Sequence, residues 1–390
     1  MIFNRKFALI IFFLLIIFES ICQPNDEITS KKGKTYRNFN GEHSIIEVIP
    51  VSGTDMQVRN IILMIGDGMG ASQVYSGLVA NKGSLYLSKF PVTGLAKTNS
   101  ASGLITDSSA GATALATGKK TRNGYVGIDT NRKPLETILE YCEKKGLSTG
   151  LVATSSITHA TPASFIAHVM SRDLNEDIAA HFLKTEVDIF IGGGRDFFNA
   201  RTDGINLIEA LKAKNYKVLY STEELNEIDT GKVAGLLWKE HGPSVLSGRG
   251  DMLAISTRKS IELLNQNKNG FFLMVEGSQI DWGGHQNDTR YLTEEMLDFD
   301  IAIGEAVRFA AIDGNTLVIV TADHETGGFA VTGGRIQKGE VAGSFLTDGH
   351  TAVWVPVFAF GPGEGKFTGI YENSDIYFKM RELLESGIEK

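Results

Sequence analysis

"TLVIVTADHETGG", residues 316–328, joins an apolar run to an acid, an imidazole and a pair of glycines. Six residues without polar alternation describe a strand buried on both faces, as in a parallel sheet. Asp323 and His324 would face opposite ways on a regular strand. Gly327 and Gly328 signal that the strand has given way to a turn, which lets both side chains reach one ligand.

The same pattern recurs along the chain. "IILMI" (61–65) runs into Asp67, "STGLVATS" (148–155) into His159 and Thr161, and "FFLMVE" (271–276) ends on Glu276. "VDIFIG" (187–192), "YKVLY" (216–220) and "VPVFAF" (355–360) add further runs. Helical patterns lie between them, such as 134–145, opened by Pro134 and closed by Gly146, and 293–311. The alternation predicts an α/β fold, a three-layer sandwich with a central, mostly parallel sheet flanked by helices on both faces. Ligands of such sheets bind beyond the carboxyl ends of the strands, where these polar residues fall.

The chain has 390 residues and a net charge of −8, with no basic block or stripe. Nucleic acid and an anionic membrane surface are therefore poor partners, and an anionic substrate would need local positive charge that metal ions could bring. "MIFNRKFALIIFFLLIIFES" (1–20) pairs a short basic start with an apolar run from Phe7 to Phe18, which reads as a secretory signal peptide ending near Cys22. The run is short for a bilayer span. Lipid attachment at Cys22 is the lesser reading, because Ile21 is a poor small residue. The expected location is periplasmic or extracellular, without a stable membrane span in the mature chain. Cys142 would then be the remaining cysteine, with no internal disulfide, and its helical spacing with Ile138 and Leu139 reads as core. The polar stretch Gln23 to Glu42 reads as mobile. Residues 23–390 are expected to form one domain, because the alternation runs unbroken and no repeat is present.

Five further stretches carry chemistry. "IGDGMG" (65–70) sets Asp67 among glycines, which suits a metal site or a plain turn equally. "VEGSQIDWGGHQND" (275–288) offers Glu276, Asp281 and His285, the last two spaced to meet on one ion. "ITDSSAGATALATG" (105–118) puts Ser108 after Asp107 at the start of a helix (109–117), where unpaired N–H groups and the helix dipole favour a negative oxygen. Asp107 or Ser108 could equally be a helix cap. No G-x-S-x-G elbow surrounds Ser108, so a metal is the better activator. "THATPASFIAHVMSRD" (158–173) supplies His159, Thr161 and Arg172, whose planar fork can grip phosphate or form a surface ion pair. "DGHTAVWVP" (348–356) adds His350, alone more often a structural histidine. His168 reads as a packing residue, and His43, His181 and His241 lack supporting context.

Taken in order, "IGDGMG", "TDSSAGATALATG", "ATPASFIAHVMSR", "VEGSQIDWGGH", "TADHETGG" and "GHT" resemble the alkaline phosphatase family from about Asn60 to Gly363. The resemblance implies hydrolysis of phosphate monoesters through a phosphoserine intermediate at Ser108, with Arg172 holding the phosphate. It implies two zinc ions, one on Asp281, His285 and His350 and one on Asp67, Asp323 and His324. A magnesium would sit with Asp67, Thr161 and Glu276. Three divalent ions against four carboxylates leave a positive charge of about two, which Arg172 increases, so a mildly acidic protein could bind a dianion. A homodimer and a small crown-like insertion around 329–349 are also implied. His159 and Trp282 depart from the best-known bacterial pattern, which has aspartate and lysine there. Both would border the third metal and the substrate phosphate. The alternatives are a phosphodiesterase or sulfatase on the same scaffold, although the sulfatase C-x-P-x-R signature is absent, and a non-catalytic zinc-binding protein.

Overall fold

The computed structural model describes residues 35–39, 41–47 and 57–388. The proposed signal peptide, 1–22, lies outside them. Gly33–Lys390 forms one compact unit. Its strands, in chain order, are β1 (Thr35–Arg37), β2 (Asn60–Gly66), β3 (Val92–Lys97), β4 (Ser148–Ser156) and β5 (Ile189–Gly193). Next come β6 (Lys217–Leu219), β7 (Val233–Leu236), β8 (Phe271–Gly277), β9 (Thr316–Thr321) and β10 (Glu325–Thr326). The last are β11 (Ala330–Arg335), β12 (Glu340–Ser344), β13 (His350–Thr351), β14 (Val355–Phe360) and β15 (Gly369–Glu372).

Ten of these form one sheet in the order β15-β3-β14-β9-β2-β8-β4-β5-β7-β6. All of its pairings are parallel except those of β14, which runs antiparallel to both β3 and β9. The central strands β2, β8 and β9 are buried along their whole length. This is the environment that continuous apolar runs require. Helices pack along the sheet, among them Met252–Leu264 against β4 and β8, and the long helix Thr289–Asp313 against β9, β8 and β2. No helix among the described residues is long and apolar enough to cross a membrane.

Three readings are corrected. The helix expected over 134–145 spans Ile138–Lys144, because Thr137 caps it reciprocally with Glu140 while Pro134 bridges back to Ile128. The helix expected at 293–311 starts earlier, at Thr289, where the Asp288 side chain accepts the N–H groups of Arg290 and Tyr291. Within the stretch expected to be mobile, β1 pairs antiparallel with β12, and the Tyr36 hydroxyl donates to Glu294 Oε1 at 2.7 Å. Strands β1, β12 and β11 make a separate small sheet. Cys142 is buried and free, and burial pushes its thiol well above the ordinary range.

Candidate metal and phosphate site

Because β2, β4, β8 and β9 are mutually parallel, their carboxyl ends share one edge. Asp67 follows β2, Glu276 lies near the end of β8 paired with Ile65, and Asp323 with His324 follow β9. His159 and Thr161 follow β4 at the start of a short helix, Ala160–Ala163. Asp281 and His285 stand four residues apart on the helix Gln279–His285, and the two-stranded β10–β13 pair brings His350 opposite Thr326.

The serine helix, Ser108–Thr117, begins beside this edge. Asp107 is its cap, accepting the Ala110 N–H at 2.9 Å, so Ser108 is the first helical residue. The two serines have different fates. Ser109 Oγ donates to Asp107 Oδ2 at 2.7 Å. Ser108 Oγ instead lies 3.2 Å from His324 Nε2. Gly111 lets this helix approach closely, because a Cβ there would sit 2.8 Å from the Asp323 carbonyl oxygen.

Around Ser108 the ligand atoms converge in three sets, each with its atoms within 4.8 Å of one another. These are Asp281, His324 and His350; Asp67, Asp323 and His324; and Asp67, His159 and Glu276. His324 Nε2 lies 3.4 Å from Asp67 Oδ1 and 3.3 Å from Asp323 Oδ2. His285 Nε2 is 3.3 Å from Asp281 Oδ1 and 3.1 Å from His350 Nε2. Second-layer carbonyls orient the last two rings, Asp348 O at 2.5 Å from His285 Nδ1 and Thr106 O at 2.8 Å from His350 Nδ1. Gly68, at φ +73, allows the β2 turn to pass Asp281, since a Cβ there would meet Asp281 Cα at 2.7 Å.

The donor set has the chemistry of a cation site. Both carboxylate oxygens of Asp67 and of Glu276, one of Asp323, and the Thr161 hydroxyl are buried without a hydrogen-bond partner. Such atoms are costly to bury alone, and oxygen with imidazole ligands suits divalent ions. Electrostatics agree. Burial, then Asp323, Asp281 and Glu276, hold the Asp67 carboxyl well above the usual range, and burial with Asp281 and Glu276 does the same for Asp323. Burial lifts Glu276 to about 7. Asp281 goes the other way, since its His285 bond and the surrounding imidazoles outweigh burial, and His285 rises to about 9 on the same bond. Burial holds His324 well below its ordinary value.

Arg172 stands at the rim. Its Nη1 donates to Asp107 Oδ2 at 3.3 Å, and its Nη2 to His159 Nε2 at 3.3 Å. Trp282 lies 6.2 Å from His159, ring centre to ring centre, at 85°. All the candidate residues therefore gather at this edge.

The alkaline phosphatase family profile matches residues 58–345. The chain belongs to the alkaline phosphatase family. Its reaction is accordingly the hydrolysis of phosphate monoesters. It is 34% identical to alkaline phosphatase 4 of Bacillus subtilis over 85% of this chain and 90% of that protein. The solved alkaline phosphatase of the Antarctic bacterium TAB5 is 41% identical, covers 85% of this chain and 98% of its own, and superposes with a TM-score of 0.80. A TAB5 variant with one histidine replaced by aspartate, solved with Mg in its M3 site, is similar to the same degree, with a TM-score of 0.80.

Sequence reasoning missed two contributors. Thr326 Oγ1 donates to Asp281 Oδ1 and lies 3.2 Å from His324 Nδ1, so one hydroxyl joins ligands of two sets. Its position inside "TADHETGG" was the available signal. His241, set aside for lack of context, has its ring 5.0 Å from Trp282 and 5.6 Å from His159. No local pattern marks it. His168, read as packing, is held by Gly127 O at 2.7 Å and Glu140 at 2.9 Å. Thr326→Val is expected to weaken divalent-cation binding by about 10- to 100-fold, read by titration against a competing chelator. Unchanged cation affinity would show that the hydroxyl does not support the candidate ligands.

Proposed function

We propose that the chain hydrolyses phosphate monoesters with Ser108 as nucleophile, through a phosphoserine intermediate, with two zinc ions and one magnesium. The observation that carries this is the Ser108 hydroxyl, buried against His324 among acidic side chains that lack partners. Asp281, His285 and His350 would hold the first zinc, and Asp67, Asp323 and His324 the second. Asp67, Thr161 and Glu276 would hold the magnesium, with His159 beside it. Bound divalent cations would lower the pKa of the serine hydroxyl and offset charge on the departing alkoxide.

The chain's own groups do the rest. Ser108 occupies the first turn of its helix, where free N–H groups and the dipole favour a bound anion. Asp107 holds Arg172 by one nitrogen, which keeps the guanidinium plane directed at the substrate oxygens. His159 accepts from the other nitrogen and fixes the plane further. Arg172→Ala is expected to raise KM by about tenfold, the loss of one charge-assisted contact. Steady-state kinetics on an aryl phosphate checks it, and an unchanged KM would remove Arg172 from substrate binding.

His159 is neutral, with burial and Arg172 holding its pKa at about 3. A carboxylate in its place would supply both charge and oxygen to the third set. His159→Asp is expected to tighten magnesium binding by about tenfold or more. Calorimetric titration with magnesium reads this without reference to turnover, and no gain would separate His159 from the third site. Export by the N-terminal segment, a homodimer and the β11–β12 hairpin as a reduced crown belong to the same proposal.

Comparing rates on an aryl phosphate, its methyl diester and its sulfate tests the reading as a whole. The monoester should dominate, and a dominant diester or sulfate rate would overturn the proposal.

A further inference from the structure

We infer that the helix carrying Asp281 and His285 presents a second face as a subsite for an uncharged, polyhydroxylated leaving group, such as the sugar or polyol part of a phosphate ester. This rests on the proposed function, because it takes the ester's phosphate to bind at Ser108 and Arg172, beside the His159 ring that Trp282 faces.

Helical geometry supports it. Asp281 and His285, four apart, share the face turned to the metal ligands. Gln279, Trp282 and Gln286, at spacings of three and four, share the neighbouring face. That face walls an open cavity of about 380 Å³, bordered on the other side by Ser244, Ser247 and Tyr291. The volume falls in the range of about 300–1,000 Å³ usual for small-molecule sites.

The wall is braced before any ligand arrives. Gln279 Nε2 donates to Gly242 O at 2.9 Å, and the Tyr291 hydroxyl donates to Gln279 Oε1 at 2.6 Å, which ties the loop to the helix. Ser156 N–H donates to His241 Nδ1 at 3.1 Å, and the His241 ring meets Trp282 edge-on at 86°. The indole is therefore held in place between His159 and His241.

The lining selects a chemical class. An indole offers a flat apolar surface, while the Ser247 hydroxyl, which accepts from Ser244 Oγ at 2.9 Å and keeps its own proton to donate, and the exposed Gln286 amide offer hydrogen bonds around it. The lining residues include no lysine or arginine, and the one charged group is Asp288. A second phosphate or a carboxylate on the alcohol would meet repulsion there. A neutral polyol would meet an aromatic wall and a polar rim, the pairing suited to sugar rings.

The test uses the zinc- and magnesium-loaded full chain on two neutral-alcohol esters, a hexose 6-phosphate and ethyl phosphate. The readout is the ratio of their kcat/KM values. In the double variant Gln286→Ala, Ser247→Ala this ratio should fall about tenfold, as for two lost hydrogen bonds, with the ethyl phosphate rate kept. Leu246→Trp, a surface change that fills the cavity, should lower the ratio likewise. A ratio unchanged in both variants would overturn the subsite and leave the phosphatase reading standing. Absence of turnover on either ester would remove both.

Discussion

Ser108→Ala is expected to lower kcat by roughly three orders of magnitude, as removal of an activated nucleophile does in other covalent hydrolases. Ser109→Ala should cost less than about tenfold. The contrast follows from the geometry of two adjacent hydroxyls. That of Ser109 is committed to Asp107, and that of Ser108 faces His324 and the convergent acids. Brief reaction with a labelled phosphate ester, followed by acid quenching and peptide mapping, should place the label on Ser108 in the parent chain and on nothing in the alanine variant. Label on Ser109, or full activity without Ser108, would refute the assignment.

Removing divalent cations should abolish activity, and zinc with magnesium should restore it. A second effect appears in stability, and its sign can be worked out. Burial holds Asp67, Asp323 and Glu276 above their ordinary values, with Glu276 at about 7 against 4.5. A carboxyl raised on folding binds more protons in the folded chain than in the unfolded one. Its contribution is full below the unfolded value and is lost as pH rises through the folded value. The chelated protein should therefore lose stability between about pH 5 and pH 8, with Glu276 alone contributing on the order of 3 kcal/mol. The loaded protein should not show this slope, since cations then compensate the ionised carboxylates. Denaturant melts at several pH values, with and without chelator, decide it. Parallel curves would mean that these carboxylates do not share cations.

The central strands were legible because burial on both faces demands uninterrupted apolar runs, and β2, β8 and β9 have them. β3, "VTGLAK", escaped notice because only alternate residues are buried and a glycine interrupts it. The direction of β14 was equally hidden. "VPVFAF" is as apolar as its parallel neighbours, and only its pairing with β3 and β9 distinguishes it. Candidate ligands that follow a strand directly, such as Asp67 and Asp323, could be read from their position. Residues acting across the fold could not. His241 reaches Trp282 through a loop with no periodicity, and Arg249 is buried between Glu295 and Asp298, the latter at 2.8 Å, without any local motif.

His350 opens β13 (His350–Thr351), shortly before β14, the strand that inserts between β3 and β9. Insertion of β14 between β3 and β9 and delivery of the last imidazole to the cluster are thus tied to one short stretch of backbone. On the proposed reading, a growing chain already carries Ser108 and His324, but the site proposed for the first zinc stays incomplete until His350 is in place. Full reactivity toward phosphate esters would then wait for β14 to dock.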